Sequence, residues 1–129
     1  MVGPNEQSAP AIVSARLRPN ERIRRRVEFQ QVYERGTRVQ GRFSTLFILA
    51  NTLTVGRLGI AATKKLGGAV QRNRAKRLIR ELFRRHKVAP GFDVVIIPRR
   101  ELLDANLDAL ESDYLTNLER SLRHARRKA

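Results

Sequence analysis

Cysteine is absent, and so is tryptophan. Without cysteine there is no disulfide framework and no thiolate metal site. Aromatic residues are few, five Phe and two Tyr, so wherever they gather is informative. Acids are scarce too: 12 Asp and Glu stand against 27 Lys and Arg, a formal net charge of +15. No apolar run approaches the roughly 20 residues that cross a bilayer. The opening MVGPNEQSAP lacks the charged and apolar regions of a signal peptide. A cytoplasmic protein without a membrane partner is therefore expected. Catalytic constellations are missing as well. The acids are scattered, no HExxH, nucleophile elbow or Walker loop is present, and His86 and His124 both sit among arginines. The chain alone is a poor candidate for a catalyst.

What it does have is positive charge, unevenly placed. From Lys64 to Lys87 there are ten Lys or Arg and one acid, Glu81. The apolar residues in that run keep helical spacing: Ala75, Leu78, Ile79, Leu82 and Phe83 fill one side of a wheel. The other side reads Asn73, Lys76, Arg77, Arg80, Arg84 and Lys87. Like charges at i,i+4 repel by a few tenths of a kcal/mol each, so such a front makes sense against a polyanion. Of the 27 basic residues 22 are Arg, whose planar guanidinium binds phosphate bidentately and stacks on bases. Such a charge points to nucleic acid or an anionic membrane surface, with phosphodiester backbone the obvious candidate. Arg suits RNA better than Lys does, although a composition bias toward Arg accounts for its share equally well.

A length of 129 residues suits one domain, expected over 16–129 with a basic end from about 120, after a disordered tail over 1–15. Asn20 can cap a first helix, roughly Arg22 to Arg35, which Gly36 ends. Thr37 to Gln40 reads as an edge strand. Phe43 to Ala50 reads as a longer one, with Phe43, Thr45, Phe47 and Leu49 on one face. Arg57 to Thr63 is a third strand. The basic helix is expected over about Val70 to Lys87, stopped by Pro90 and Gly91. Phe92 to Ile97 has the continuous apolar run of a buried central strand. A last helix starts near Asp104 or Asn106. Its acids lie early and its bases late, as the helix dipole favours. The order α-β-β-β-α-β-α implies an α/β (α+β) two-layer sandwich of one sheet and packed helices.

Two binding features accompany the basic helix. Gly67 and Gly68 precede it, and free N–H groups in such a loop could hold a phosphate. Phe29 and Tyr33 share one side of the first helix, and Phe43 and Phe47 share one strand face. Rings flanked by Arg form a stacking platform for single-stranded bases. For Phe43 a place in the core is the simpler expectation.

The string KKLGGAVQRNRAKRLIRELFR resembles the signature of the protein subunit of bacterial ribonuclease P, the RNR motif. The matching residues are Lys64, Lys65, Gly68, Arg72, Asn73, Arg74, Lys76, Arg77 and Arg80. EFQQVYERG is similar to the family's first helix, GRFSTLFILA and GRLGIAATKK to its strands, and FDVVIIPRR to its last strand. The resemblance covers about residues 17 to 126.

It implies a four-stranded sheet with three helices and a left-handed crossover through the basic helix. It implies a subunit that is not itself the catalyst but binds a catalytic RNA, one protein per RNA. That RNA cleaves precursor tRNA to release the mature 5′ end, using Mg²⁺ held mainly by the RNA. Arg72, Asn73, Arg74, Lys76, Arg77 and Arg80 would face the RNA subunit. Phe29, Tyr33 and Phe47, with Lys64 and Lys65 nearby, would hold the single-stranded 5′ leader. A ribosomal or other structural RNA-binding protein is the alternative reading.

Overall fold

The computed structural model describes residues 18–128. The expected tail over 1–15 lies outside the described residues. Among the described residues three α-helices and four strands follow in the order α1 (Arg26–Arg35), β1 (Thr37–Gln40), β2 (Ser44–Ala50), β3 (Arg57–Ile60), α2 (Ala69–Arg85), β4 (Phe92–Pro98) and α3 (Leu107–Lys128). The sheet order is β1-β2-β4-β3. β1 and β4 flank β2 in antiparallel pairs, while β3 lies parallel to β4. A parallel neighbour demands a crossover, and α2 supplies it.

Strand alternation divides the sheet into two faces. Leu46, Ile48, Leu58, Val94 and Ile96 point to the main core. There they meet Ala75, Ile79, Leu82 and Phe83 of α2 and Leu110 and Tyr114 of α3. This is the sheet-and-helix sandwich that the apolar stripes imply. Tyr114 also donates its hydroxyl to the His86 carbonyl at 2.8 Å, tying α3 to the end of α2. Asn106 caps α3 through its side chain, accepting from Ala109 N–H at 2.8 Å.

The opposite face carries a smaller core under α1, built from Ile23, Val32 and Val95, with Phe29, Tyr33, Phe47, Leu49 and Ala61 packed against it. Beside it lies a polar network. Arg57 donates to both oxygens of Asp93 at 2.9 and 2.7 Å and to Glu28 at 3.1 Å. Asn51 adds a 2.7 Å bond to Asp93. The Asp93 hydrogen bond, with help from Glu28, raises the Arg57 pKa further above its already high value. This network fastens the start of β3 to its neighbour β4 and to α1.

Several boundaries differ from those the sequence suggests. The first helix begins at Arg26, not Arg22. Arg22 instead bridges Leu58 in parallel fashion, and Ile23 N–H donates to the Leu58 carbonyl at 3.0 Å. Burying Ile23 in the second core holds residues 22–25 extended along β3. Asn20 falls in a 3₁₀ turn, Pro19–Glu21, and caps nothing in α1. β3 stops at Ile60, since Thr63 caps another 3₁₀ turn, Lys64–Leu66. A third such turn, Arg100–Asp104, leads into α3. Phe43 precedes β2 in a bend that turns its ring into the main core, away from Phe47. Its backbone N–H donates to Asp113 at 3.3 Å, which holds that bend on α3.

Candidate nucleic-acid interface

Phe29, Tyr33 and Phe47 form a continuous aromatic row between α1 and the sheet. The Phe29 and Tyr33 centroids are 6.5 Å apart, and Tyr33 meets Phe47 edge-to-face at 5.2 Å. Their spacing explains it: i,i+4 on α1 stacks two rings on one side, and the outward face of β2 brings up the third. All three are half-buried, so each ring has one side on the small core and the other toward solvent. Burial raises the Tyr33 pKa, so its hydroxyl is neutral at physiological pH. Arg38 is the cross-strand partner of Phe47, and Arg99 donates to Thr45 at 2.9 Å two residues along the same face. The rings thus lie in a groove rimmed by guanidinium groups, suited to unpaired bases and their phosphates.

The basic helix α2 presents its charges in two groups. Near its C-terminus the cations are engaged inside the protein. Glu81 accepts from Arg84 and from Arg85, the latter at 3.0 Å, and the Arg84 hydrogen bond holds the Glu81 carboxyl below its usual range. Lys87 pairs with Glu21 at 2.8 Å and lies over the Phe83 ring. Toward the N-terminus the picture reverses. Among the described residues no carboxylate pairs with Arg72, Arg74, Lys76, Arg77 or Arg80. These are the guanidinium and ammonium groups left for an external anion.

A family model described as Ribonuclease P matches residues 17–125. The chain belongs to the ribonuclease P protein family. A ribonuclease P protein component from Clostridium botulinum (strain Loch Maree) is 36% identical over 103 residues, covering 78% of this chain and 93% of that protein. One from Thermotoga maritima is 40% identical over 84 residues, covering 64% of this chain and 72% of the relative. The solved structure of the Thermotoga maritima ribonuclease P protein superimposes with a TM-score of 0.71 at 34% identity, covering 78% of this chain and 96% of that one. The Staphylococcus aureus protein gives 0.70 at 33% identity, over 77% and 93% of the two chains. The fold and the order of its elements are those of this family.

In this ribonuclease P protein the six motif residues on α2 do not share one flat face. Arg72, Lys76 and Arg80 are four apart on one edge, where Lys76 and Arg80 line a cavity with Leu58 and Ile60 of β3. Arg74 points about 160° away from Lys76 round the helix. Asn73, Arg74 and Arg77 are exposed, whereas Arg72, Lys76 and Arg80 are partly covered. Lys64 and Lys65 stand exposed on the 3₁₀ turn after β3, beyond Ala61 at the end of the aromatic groove. In the loop that could hold a phosphate, both glycine amides are engaged within the chain. Gly67, at a positive φ of 127°, donates its N–H to the Lys64 carbonyl at 3.0 Å, and Gly68 donates to Gln71 at 3.0 Å. Those amides serve the turn and the helix start.

His86 caps the end of α2, its ring 2.7 Å from Glu111, and His124 contacts Arg127 on the surface. Among the described residues no group of three or more His, Cys, Asp or Glu could hold a metal ion. No described helix is long and apolar enough to cross a membrane. Sequence reasoning missed two residues that shape the groove, Arg22 and Gly59. Arg22 belongs to the conspicuous run RIRRR, which periodicity absorbs into a helix. Gly59 carries no signal beyond being a glycine in a strand.

Proposed function

We propose that this chain works in the cytoplasm as the non-catalytic protein subunit of the ribonuclease P holoenzyme, an endoribonuclease that matures the 5′ end of tRNA. One protein binds one RNA subunit. Exposed cations of the RNR motif on α2 neutralise phosphates of that RNA, and the aromatic groove with Lys64 and Lys65 holds the single-stranded leader of precursor tRNA. The observation that carries this reading is the contrast along α2. Arg84 and Arg85 at its end pair with Glu81, and Lys87 just beyond pairs with Glu21, while among the described residues no acid pairs with the cations of the motif.

Magnesium belongs mainly to the RNA subunit in this reading, since the described residues offer no carboxylate cluster for it. The chain's own work is then binding and orientation. Holding the leader beside the RNA converts a weak encounter into a positioned one. The reading is tested by mixing the purified protein with a bacterial ribonuclease P RNA and precursor tRNA at low magnesium. Restored 5′ cleavage supports it. A structural ribosomal protein gives no such rescue, and a nuclease acting alone cuts without the RNA.

A further inference from the structure

We propose that Arg22, Lys76 and Arg80 form a pocket for a single phosphate of the leader, the one adjoining the nucleotide that stacks on Phe29. The proposal rests on the leader-groove reading above and divides the RNR motif between two RNA partners.

A cavity of about 130 Å³ opens where the extended segment before α1, strand β3 and helix α2 meet. It is several times the roughly 10–15 Å³ that one water needs. Arg22, Lys76 and Arg80 supply its polar wall, and Phe29, Leu58 and Ile60 its apolar one. Among the described residues no carboxylate lines it. Among the described residues Arg80 Nε is a buried donor with no acceptor. Buried donors are nearly always satisfied, and an oxygen entering the adjoining cavity would complete this one. Burial, and then the neighbouring Arg22 charge, lower the Arg80 pKa. Three cations converging on an apolar wall are costly until an anion joins them. Two guanidinium forks and an ammonium match the oxygens of one phosphate group.

Phe29 decides which RNA supplies it. Its ring is both a wall of this cavity and the end member of the aromatic row that continues through Tyr33 to Phe47. A base on Phe29 brings its own backbone to the pocket mouth. Arg74 and Arg77, exposed elsewhere on α2, remain for the RNA subunit.

The test uses the holoenzyme and precursor tRNAs whose leaders carry one neutral methylphosphonate, moved a position at a time. The wild-type protein loses affinity roughly tenfold at one position, the effect of one charge-assisted contact. Arg22→Ala loses about as much on the unmodified leader and becomes insensitive to methylphosphonate at that position. Arg22 is exposed, so an unchanged melting temperature is expected, and Arg80→Gln provides a second variant with the same coupling. Losses that simply add at every position overturn the proposal. So does an Arg22→Ala defect that is equal on leaderless tRNA or that lies in assembly with the RNA subunit. Should the wild-type holoenzyme bind leader-bearing and leaderless tRNA alike, the groove reading itself falls and the pocket with it.

Discussion

The ring of Phe29 occupies the space a side chain on Gly59 would need. A Cβ on Gly59 would lie 2.8 Å from Phe29 Cζ and 3.2 Å from Ile23 Cβ. The glycine lets α1 settle onto β3 and fixes where the aromatic row begins. Gly59→Ala is expected to push the ring outward, with a stability cost of about 1–3 kcal/mol from overpacking. Affinity of the holoenzyme for leader-bearing precursor tRNA falls, while assembly with the RNA subunit is retained. Urea unfolding together with the two binding titrations checks this.

Charge on α2 is predicted to act by position rather than by number. Arg77→Ala removes an exposed cation that no carboxylate among the described residues pairs with, and the salt dependence of RNA-subunit binding should flatten by about one phosphate contact. Arg84→Ala removes a guanidinium already held by Glu81, so its slope should change much less. Filter binding over a series of salt concentrations separates the two. Equal slopes for both variants would mean that the free cations are not the contact surface.

Arg57 joins three elements through Asp93 and Glu28, with its side chain and that of Asp93 largely buried at 16% and 7% exposure. Arg57→Met leaves a buried carboxylate without its cation. The expected cost is about 3 kcal/mol, read as a lowered urea midpoint. Leader affinity should fall with it, because Glu28 and the start of β3 set the height of α1.

Acid should weaken the fold through the carboxylates that hold α2. In Glu21, burial raises the pKa, but the Lys87 hydrogen bond and the Arg18 backbone N–H outweigh it and leave the group below 4.5. Glu81 is lowered chiefly by its Arg84 hydrogen bond, and Glu111 chiefly by His86. For each, the unfolded chain takes up its proton at higher pH than the folded one. Their stabilisation is therefore complete above about pH 5 and lost as pH falls through the folded-state values. The melting temperature should hold between about pH 7 and 5.5 and drop below about 4.5. Glu81→Gln should shrink that drop.

Much of this was legible in the residues. The 3.6 period of Ala75, Ile79, Leu82 and Phe83 fixed the buried side of α2, and the alternation of β2 placed Phe47 outward. What misled was local signal overridden by tertiary contact. Asn20 is a good cap for a helix that never starts there, because Ile23 gains more by burial beside Leu58. Phe43 keeps the strand's parity in sequence but sits in a bend, where alternation no longer governs direction. The glycine pair looked like an anion loop, yet its amides close the turn. Pairing between distant acids and bases, Glu21 with Lys87 or Glu28 with Arg57, has no sequence pattern at all. The pairs of Glu81 with Arg84 and Arg85, by contrast, follow ordinary i,i+3 and i,i+4 spacing.

The most direct test of the account is the difference in holoenzyme affinity between precursor tRNA with a leader of several nucleotides and the same tRNA with none. The wild-type protein should favour the leader-bearing substrate, and Phe29→Ala with Tyr33→Ala should erase most of that preference, about 1–3 kcal/mol per stacked base. Circular dichroism should report a retained fold. A preference that survives in the folded double variant, or that is absent from the wild type, would contradict the account.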